Sequence, residues 1–299
     1  MTFSSPLHLV QDHCGGCWAY ALAESFRTQF VARHGIQNDP GMLSAEFLID
    51  CASPAWTAKT CTDGANGCCG GTGLIAANWL LAVGGIPTAK EYGGRGHFDK
   101  NLDYNVTRSA ANPRTHWPCN MMNVSKAVIP VGPPIFFAPN RTLNMTLELL
   151  QEEKKAMEEG GKMAVVKLFC EKFGVCPNAD GKFVSPETAM AQYACDVGPV
   201  EIGTNDVAWQ HYVSGVIDGA TCGYTTQTHS TEVVGVDTKK QMWIVRNHWG
   251  PDFGVSPSPP YLPASETPNG KGGYVLLAFG ENTCRMGELG FAHPELKAA

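Results

Sequence analysis

Gln11-Asp12-His13-Cys14-Gly15-Gly16-Cys17-Trp18 is the stretch on which the reading of this chain turns. After it, Leu22, Phe26 and Phe30 recur at four-residue intervals, the spacing that stacks side chains on one face of an α-helix. A buried helix is therefore expected over 17–33, with Cys17 as its first residue and His34-Gly35 as its stop. A thiol at that end feels the positive pole of the helix dipole, which favours thiolate over thiol. The thiolate is the form of cysteine that attacks a carbonyl carbon.

The rest of the chain sets limits around this stretch. Its 299 residues, 43% hydrophobic and 17% charged, suffice for one large domain or for two lobes sharing a cleft. A net charge of −6 argues against nucleic acid as a partner. No apolar run reaches membrane-spanning length, and residues 1–10 are too short and polar for a signal peptide. Twelve cysteines are many for a reducing compartment. Glycosylation sequons begin at Asn105, Asn123, Asn140 and Asn144. Their clustering implies an exposed segment made in the secretory pathway.

Ser44 can cap a helix from Ala45 to about Cys51. Residues 52–71, rich in Gly, Cys, Asp and Asn, read as a stapled loop. Thr72 can cap a helix over 73–83, ended by Gly84-Gly85 and Pro87. From Tyr92 to Asn140 no period survives, which is too long for an idle loop and reads as a decorated insertion. Residues 145–159 and 162–173 return to a helical pattern. Ser185-Pro186-Glu187 opens a further helix to about Asp196, with Pro in its first turn. Strands are expected near 199–203, 212–217, 231–237, 241–247 and 273–279, in an antiparallel sheet. The Pro-rich spacer from Ser256 to Pro268 belongs at the surface.

Cys14-Gly15-Gly16-Cys17-Trp18 resembles the nucleophile motif of the papain family of cysteine peptidases, with Gly16 in the place of Ser or Ala. Gln11, six residues before Cys17, also matches. Thr228-His229-Ser230-Thr231-Glu232-Val233 resembles the family's histidine strand. Met242 to Gly250 resembles its Asn-Ser-Trp-Gly strand, with His248 in the Ser position. Gly67-Cys68-Cys69-Gly70-Gly71 and Gly198-Pro199-Val200 resemble two further family segments. The matches run in the family's order and leave 95–180 and 251–270 unexplained. Cys17 and His229 stand 212 positions apart, against roughly 130–150 in the family, consistent with a large insertion.

The resemblance implies a two-lobed α+β papain-like fold: a helical lobe (1–91), an irregular glycosylated insertion with extra helices (92–180) and a β-sheet or barrel lobe (181–299). It implies peptide hydrolysis through Cys17, His229 and Asn247, with Gln11 donating to the oxyanion, and no metal or organic cofactor. Gly70, Gly71, Thr228, Trp249 and Leu289 would line the substrate cleft, Leu289 favouring apolar side chains at the second residue before the cut. Cys14 would pair with Cys68 and Cys222 with Cys284. Cys51 is left with Cys61, Cys69 or Cys119, and Cys170 lies close enough to Cys176 to pair. With Cys17 set apart, eleven cysteines leave at least one free or paired outside the chain.

Implied partners are a peptide or protein substrate, a propeptide and a cystatin-like inhibitor; the implied setting is lysosomal, vacuolar or extracellular. Only ten residues precede Gln11, so the sequence reads as a mature or truncated fragment. Other readings stand beside this one. Cys14 and Cys17 could form a redox Cys-x-x-Cys, but Trp18 follows the second cysteine and no βαβ unit leads in. Zinc lacks a second ligand pair. A catalytically retired scaffold with a structural or partner-binding role would keep the same motifs. A carboxypeptidase would need a cleft-blocking histidine, for which His8, His97 and His116 are candidates.

Overall fold

The computed structural model describes residues 15–52, 70–92, 119, 124–138, 141–144, 186–223, 227–250, 252–256, 272–288, 290–293 and 295–299, with short pieces between 151 and 171. Gln11, Cys14, Cys68, Leu289, Asn105, Asn123 and Asn140 lie outside the described residues, as does the side chain of Asn144.

Helix α1 (Cys17–His34) forms where the four-residue spacing places it, and Gly35 N–H closes it on Val31 O. Its burial exceeds the expectation of one apolar face: every residue from Trp18 to Phe30 is buried. Ser44 Oγ accepts the Phe47 N–H at 3.0 Å, starting α2 (Ala45–Phe47), which widens into a π turn over Leu48–Ala52. Helix α3 (Gly73–Val83) follows Thr72, whose side chain makes no capping bond, and stops at left-handed Gly84. A one-turn α4 (Ala89–Tyr92) completes this lobe. Between 151 and 171 the described residues are helical. Helix α5 (Glu187–Asp196) begins after Pro186, which stands at the N-cap rather than inside the first turn.

The second lobe is an eight-stranded sheet. Its strands are β2 (Ile135–Ala138), β3 (Arg141–Asn144), β4 (Val200–Thr204), β5 (Val216–Ile217), β6 (His229–Asp237), β7 (Met242–Arg246), β8 (Tyr274–Ala278) and β9 (Gly290–Ala292), in the order β3-β2-β9-β4-β6-β7-β8-β5. Its pairings are antiparallel except β5 with β8, which is parallel. The expected strand over 212–217 shrinks to Val216–Ile217, because the chain bends at 214–215, where Gly215 adopts φ +90°. A separate ribbon pairs β1 (Val128–Pro130) with β10 (Leu296–Ala298). Helix α6 (Gly219–Cys222) is one turn long. No helix among the described residues is long and apolar enough to cross a membrane.

Two cores result. Leu22, Phe26 and Phe30 pack with Phe47, Leu80, Val128 and Leu296, so β1 and β10 belong to the helical core. Val200, Ile202, Val233, Trp243 and Val275 pack with Met190 and Ala194 of α5. Each such side chain contributes about 1.5–3 kcal/mol on burial. Disulfides join Cys51 to Cys119 and Cys222 to Cys284. Among the described residues Cys17 and Cys195 are free thiols.

Where α1 lies across β6, the lobes meet through polar groups as well as apolar ones. The register sets Glu201 opposite Glu232 and Glu232 opposite Arg246, a row across β4, β6 and β7. Glu24 and Thr28 reach the row from α1: Arg246 Nε lies 3.4 Å from Glu24 Oε2, and Thr28 Oγ1 donates to Glu232 Oε1 at 3.4 Å. Arg246 Nη1 is 3.5 Å from the same Glu232 oxygen. None of the four charged residues is more than 4% exposed. Two of the three carboxyls share one guanidinium, and Glu201 makes no ion pair among the described residues. Burying an uncompensated carboxylate costs several kcal/mol, whereas keeping a proton on it at pH 7 costs about 3 kcal/mol, so protonation is the cheaper state. Burial accordingly pushes Glu232 up to about 8 despite Arg246, and pushes Glu201 well above the usual carboxylate range with Glu232 adding to the effect.

These shifts give stability a defined pH dependence. A carboxyl whose folded pKa is raised contributes fully below its unfolded value of about 4.5 and loses that contribution as pH rises through the folded value. Burial drives His293 down to about 3 and His248 well below the ordinary range. A histidine so depressed contributes above about pH 6.5 and loses that contribution on acidification. The melting temperature should therefore peak between about pH 4.5 and 6.5 and fall on either side, the alkaline loss approaching about 1.4 kcal/mol per pH unit per glutamate. Thermal unfolding across pH should show Glu232→Gln flattening the alkaline decline; an unchanged slope would refute the assignment.

Candidate active site

Gly16 precedes α1 and its carbonyl takes the N–H of Ala19 at 2.8 Å, so the chain enters the helix without a side-chain cap. Cys17 is left at the first position with a free thiol and partial solvent access. The backbone N–H groups of Trp18 and of Ser230, the second residue of β6, favour its thiolate form. The helix that begins with the nucleophile motif and the histidine strand, 212 positions apart in sequence, pack against each other.

His229 opens β6 and is buried. Its Nε2 lies 2.9 Å from Asn247 Oδ1, at the end of β7. The same oxygen accepts the His248 backbone N–H at 3.0 Å. Because that second partner is a donor, the amide is oriented with its oxygen toward His229. The neutral imidazole then carries its proton on Nε2 and keeps Nδ1 basic. Asn247 is itself held by its N–H to Gly273 O at 2.8 Å.

Three rings enclose His229. His248 stands at 4.7 Å between centroids, Trp249 at 5.2 Å and Trp209 edge-on at 5.8 Å. His248 is fully buried, neither ring nitrogen has a hydrogen-bond partner, and Tyr20 of α1 stacks on it at 5.6 Å. The run Tyr20–His248–His229 therefore bridges the helix and the strand. Sequence reading noted His248 only as a departure from a motif; Trp209 carried no signal at all.

Electrostatically, the resting pair differs from the thiolate expected on helix position alone. Burial pushes the Cys17 thiol up to about 11, more than the two N–H donors pull it down, and the charges of Asp206 and Glu201 push the same way. Burial also lowers His229, while Asn247 and Asp206 raise it. Each group taken alone is thus held neutral. Proton transfer from sulfur to imidazole would leave the net charge of the pair unchanged.

Gly71 lies against Trp18, the residue after Cys17. A Cβ on Gly71 would come within 2.9 Å of the Trp18 indole, and Gly70 adopts φ +97°, a conformation that favours glycine. Thr228 is exposed at the rim, where its Oγ1 donates to Asp206 Oδ1 at 2.5 Å. Trp249 packs against Phe253 at 5.1 Å and is half-buried over His229.

Residues 8–257 match the family described as "Papain family cysteine protease". The chain is 25% identical over 285 residues to Cysteine proteinase 1 of Dictyostelium discoideum, covering 92% of this chain and 57% of that protein. It is 21% identical over 280 residues to Cathepsin O of Homo sapiens, covering 93% and 59%. The chain thus spans less than two thirds of the length of these curated relatives. Among solved structures, the bromelain protease from Ananas comosus in complex with the E64 inhibitor aligns with a TM-score of 0.56 at 18% identity, covering 96% of this chain and 93% of that one. Digestive procathepsin L 3 of Tenebrio molitor larval midgut aligns at 0.55 and 17% identity, covering 97% and 66%. The chain belongs to the papain family of cysteine proteases.

Proposed function

We propose that this protein is a cysteine endopeptidase. The observation that carries the reading is the Asn247–His229 hydrogen bond, set at the head of the strand on which α1, the helix that begins with the free thiol of Cys17, packs. In this reading the Cys17 proton passes to His229 as the sulfur attacks the peptide carbonyl. The resulting oxyanion takes hydrogen bonds from the Cys17 N–H and from Gln11. Collapse of the intermediate breaks the C–N bond, and His229 gives its proton to the leaving amine. Water, deprotonated by His229, then releases the acyl group and restores the thiol. Asn247 keeps Nε2 protonated so that Nδ1 does this work, and Trp249 shields the bond between them.

The substrate is an extended peptide aligned by the backbone of Gly70 and Gly71, with Leu289 in the pocket for the second residue before the cut. The setting is an acidic lysosome-like or secretory compartment, with glycans at Asn105, Asn123, Asn140 and Asn144, and a propeptide and a cystatin-like protein as inhibitory partners. Asn144 ends β3, an edge strand of the sheet. A non-catalytic scaffold is the second reading, favoured by the neutral resting state of Cys17 and His229. Carboxypeptidase action would need a histidine such as His8, His97 or His116, all outside the described residues.

An epoxide thiol probe separates these readings: it should label the folded protein at Cys17 alone, and Cys17→Ala should abolish labelling and peptidolysis together. Absence of labelling on folded protein favours the scaffold. Paired fluorogenic dipeptides should be cut after Phe-Arg in preference to Arg-Arg; the reverse order would rule out an apolar pocket at Leu289. His248→Ser should admit water to the His229 ring and relieve the burial that depresses it, so the His229 NMR titration midpoint should move up by about one pH unit. A midpoint that stays in place would show that His248 does not set the environment of His229.

A further inference from the structure

Of the three rings around His229, Trp209 is the one that the mechanism leaves without a task. Trp249 is half-buried at the rim, and His248 follows Asn247 directly in β7's exit. Trp209 comes from neither strand of the site. It belongs to the 3₁₀ turn Val207–His211, between β4 and β5, and is fully buried. Its ring stands edge-on to the imidazole, with 5.8 Å between centroids and an interplanar angle of 86°.

A buried indole N–H needs an acceptor. That of Trp209 donates to Cys284 Sγ at 3.4 Å. The same sulfur is in the disulfide to Cys222, so the ring is tied to a covalent cross-link between the turn after β8 and the short helix after β5. Cys284 is held from a second side. Its carbonyl accepts from Thr204 Oγ1 at 3.1 Å and from the Asn205 N–H at 2.8 Å, both at the end of β4. Thr204 in turn lies opposite His229 in the β4–β6 register.

The contacts therefore close a circuit. His229 pairs with Thr204, Thr204 holds Cys284, the Cys284 sulfur holds the Trp209 indole, and the indole bears on His229. The weak point of the circuit is the turn that carries Cys284. Asn282, Cys284 and Arg285 adopt φ of 49°, 54° and 62°, a left-handed conformation that residues with a Cβ keep only where their surroundings impose it. The disulfide is one of those constraints.

We propose that Trp209 is a positioning residue for His229, and that the Cys222–Cys284 disulfide, by holding the indole N–H, keeps the imidazole seated on Asn247. The hydrogen bond to Asn247 fixes one ring nitrogen, and a buried wall that cannot move removes the remaining swing of the ring. This rests on the peptidase reading, in which Nε2 must stay on Asn247 while Nδ1 carries the proton.

The test reads the hydrogen bond itself by NMR on the full chain, so that it does not depend on turnover. The His229 Nε2 proton should give a downfield resonance that exchanges slowly with water and is lost in Asn247→Ala. Trp209→Phe keeps an aromatic ring and removes the N–H; the double variant Cys222→Ala/Cys284→Ala removes the acceptor. Each should speed exchange of the His229 proton roughly tenfold, and the three changes together should do little more than either alone, because they cut one contact. In Trp209→Phe kcat should fall by a similar factor, with KM changed by no more than about twofold. Exchange that is unaltered in folded Trp209→Phe would overturn the proposal, and so would effects of the two variants that multiply. A measurement on the unsubstituted protein serves if the variants do not fold: the Trp209 indole proton should exchange slowly and show a nuclear Overhauser contact with the His229 ring, and absence of that contact would overturn the proposal as well. Faster exchange in the variants of a protein without peptidolysis would leave this inference standing and remove the peptidase reading; peptidolysis with exchange unaltered would do the reverse.

Discussion

The architecture depends on one constraint: α1 has no face left for water. Its apolar stripe belongs to the helical core. A second stripe, Cys17, Tyr20, Glu24 and Thr28, follows helical spacing and meets the sheet through His248, Arg246 and Glu232. The position of the thiol against β6 is therefore set by the polar stripe as much as by hydrophobic packing. Arg246 must satisfy carboxyls from both lobes, which makes the join directional in a way that apolar contact alone is not.

The same burial that fixes the geometry acts against charge. At Cys17, His229, His248, Glu201 and Glu232 desolvation is the largest influence, and in every case it favours the neutral form. The helix pole, the Asn247 hydrogen bond and the N–H of Ser230 work in the opposite direction. A site of this kind stores its chemistry as a balance between neighbours, so moving a proton between sulfur and imidazole is a smaller perturbation than adding or removing one. Asp206 at the rim acts on both members of the pair, raising each.

Sequence reading recovered what local pattern encodes. Leu22, Phe26 and Phe30 defined α1, Ser44 capped α2, and the strands from 199 to 279 lay near their observed bounds except at 212–217. What it missed is non-local. Glu24 and Thr28 look like the wet side of an amphipathic helix until a strand more than two hundred residues away supplies Arg246. Strands of three or four residues, such as β1, β3 and β10, are too short to show a period. Position in a helix argued for a thiolate at Cys17, but burial belongs to the assembled site and outweighs it. The partner of Cys51 could be narrowed to three cysteines, and only the fold selects Cys119. His248 stood out as a departure from its motif without revealing that it would rest against His229.

The strand β10 runs back to the lobe where α1 lies. Leu296 is buried among the helices, its carbonyl accepts from the His34 ring at 3.0 Å, and its strand pairs with β1. Four residues upstream, β9 is laced into the eight-stranded sheet between β2 and β4. This short tether, like the one from β1 to β2, thus has one end in each half of the molecule. Wide book-like opening of the cleft would have to unzip one of those ribbons, so access to the sulfur must come from movements at the rim, with the two halves keeping their mutual placement.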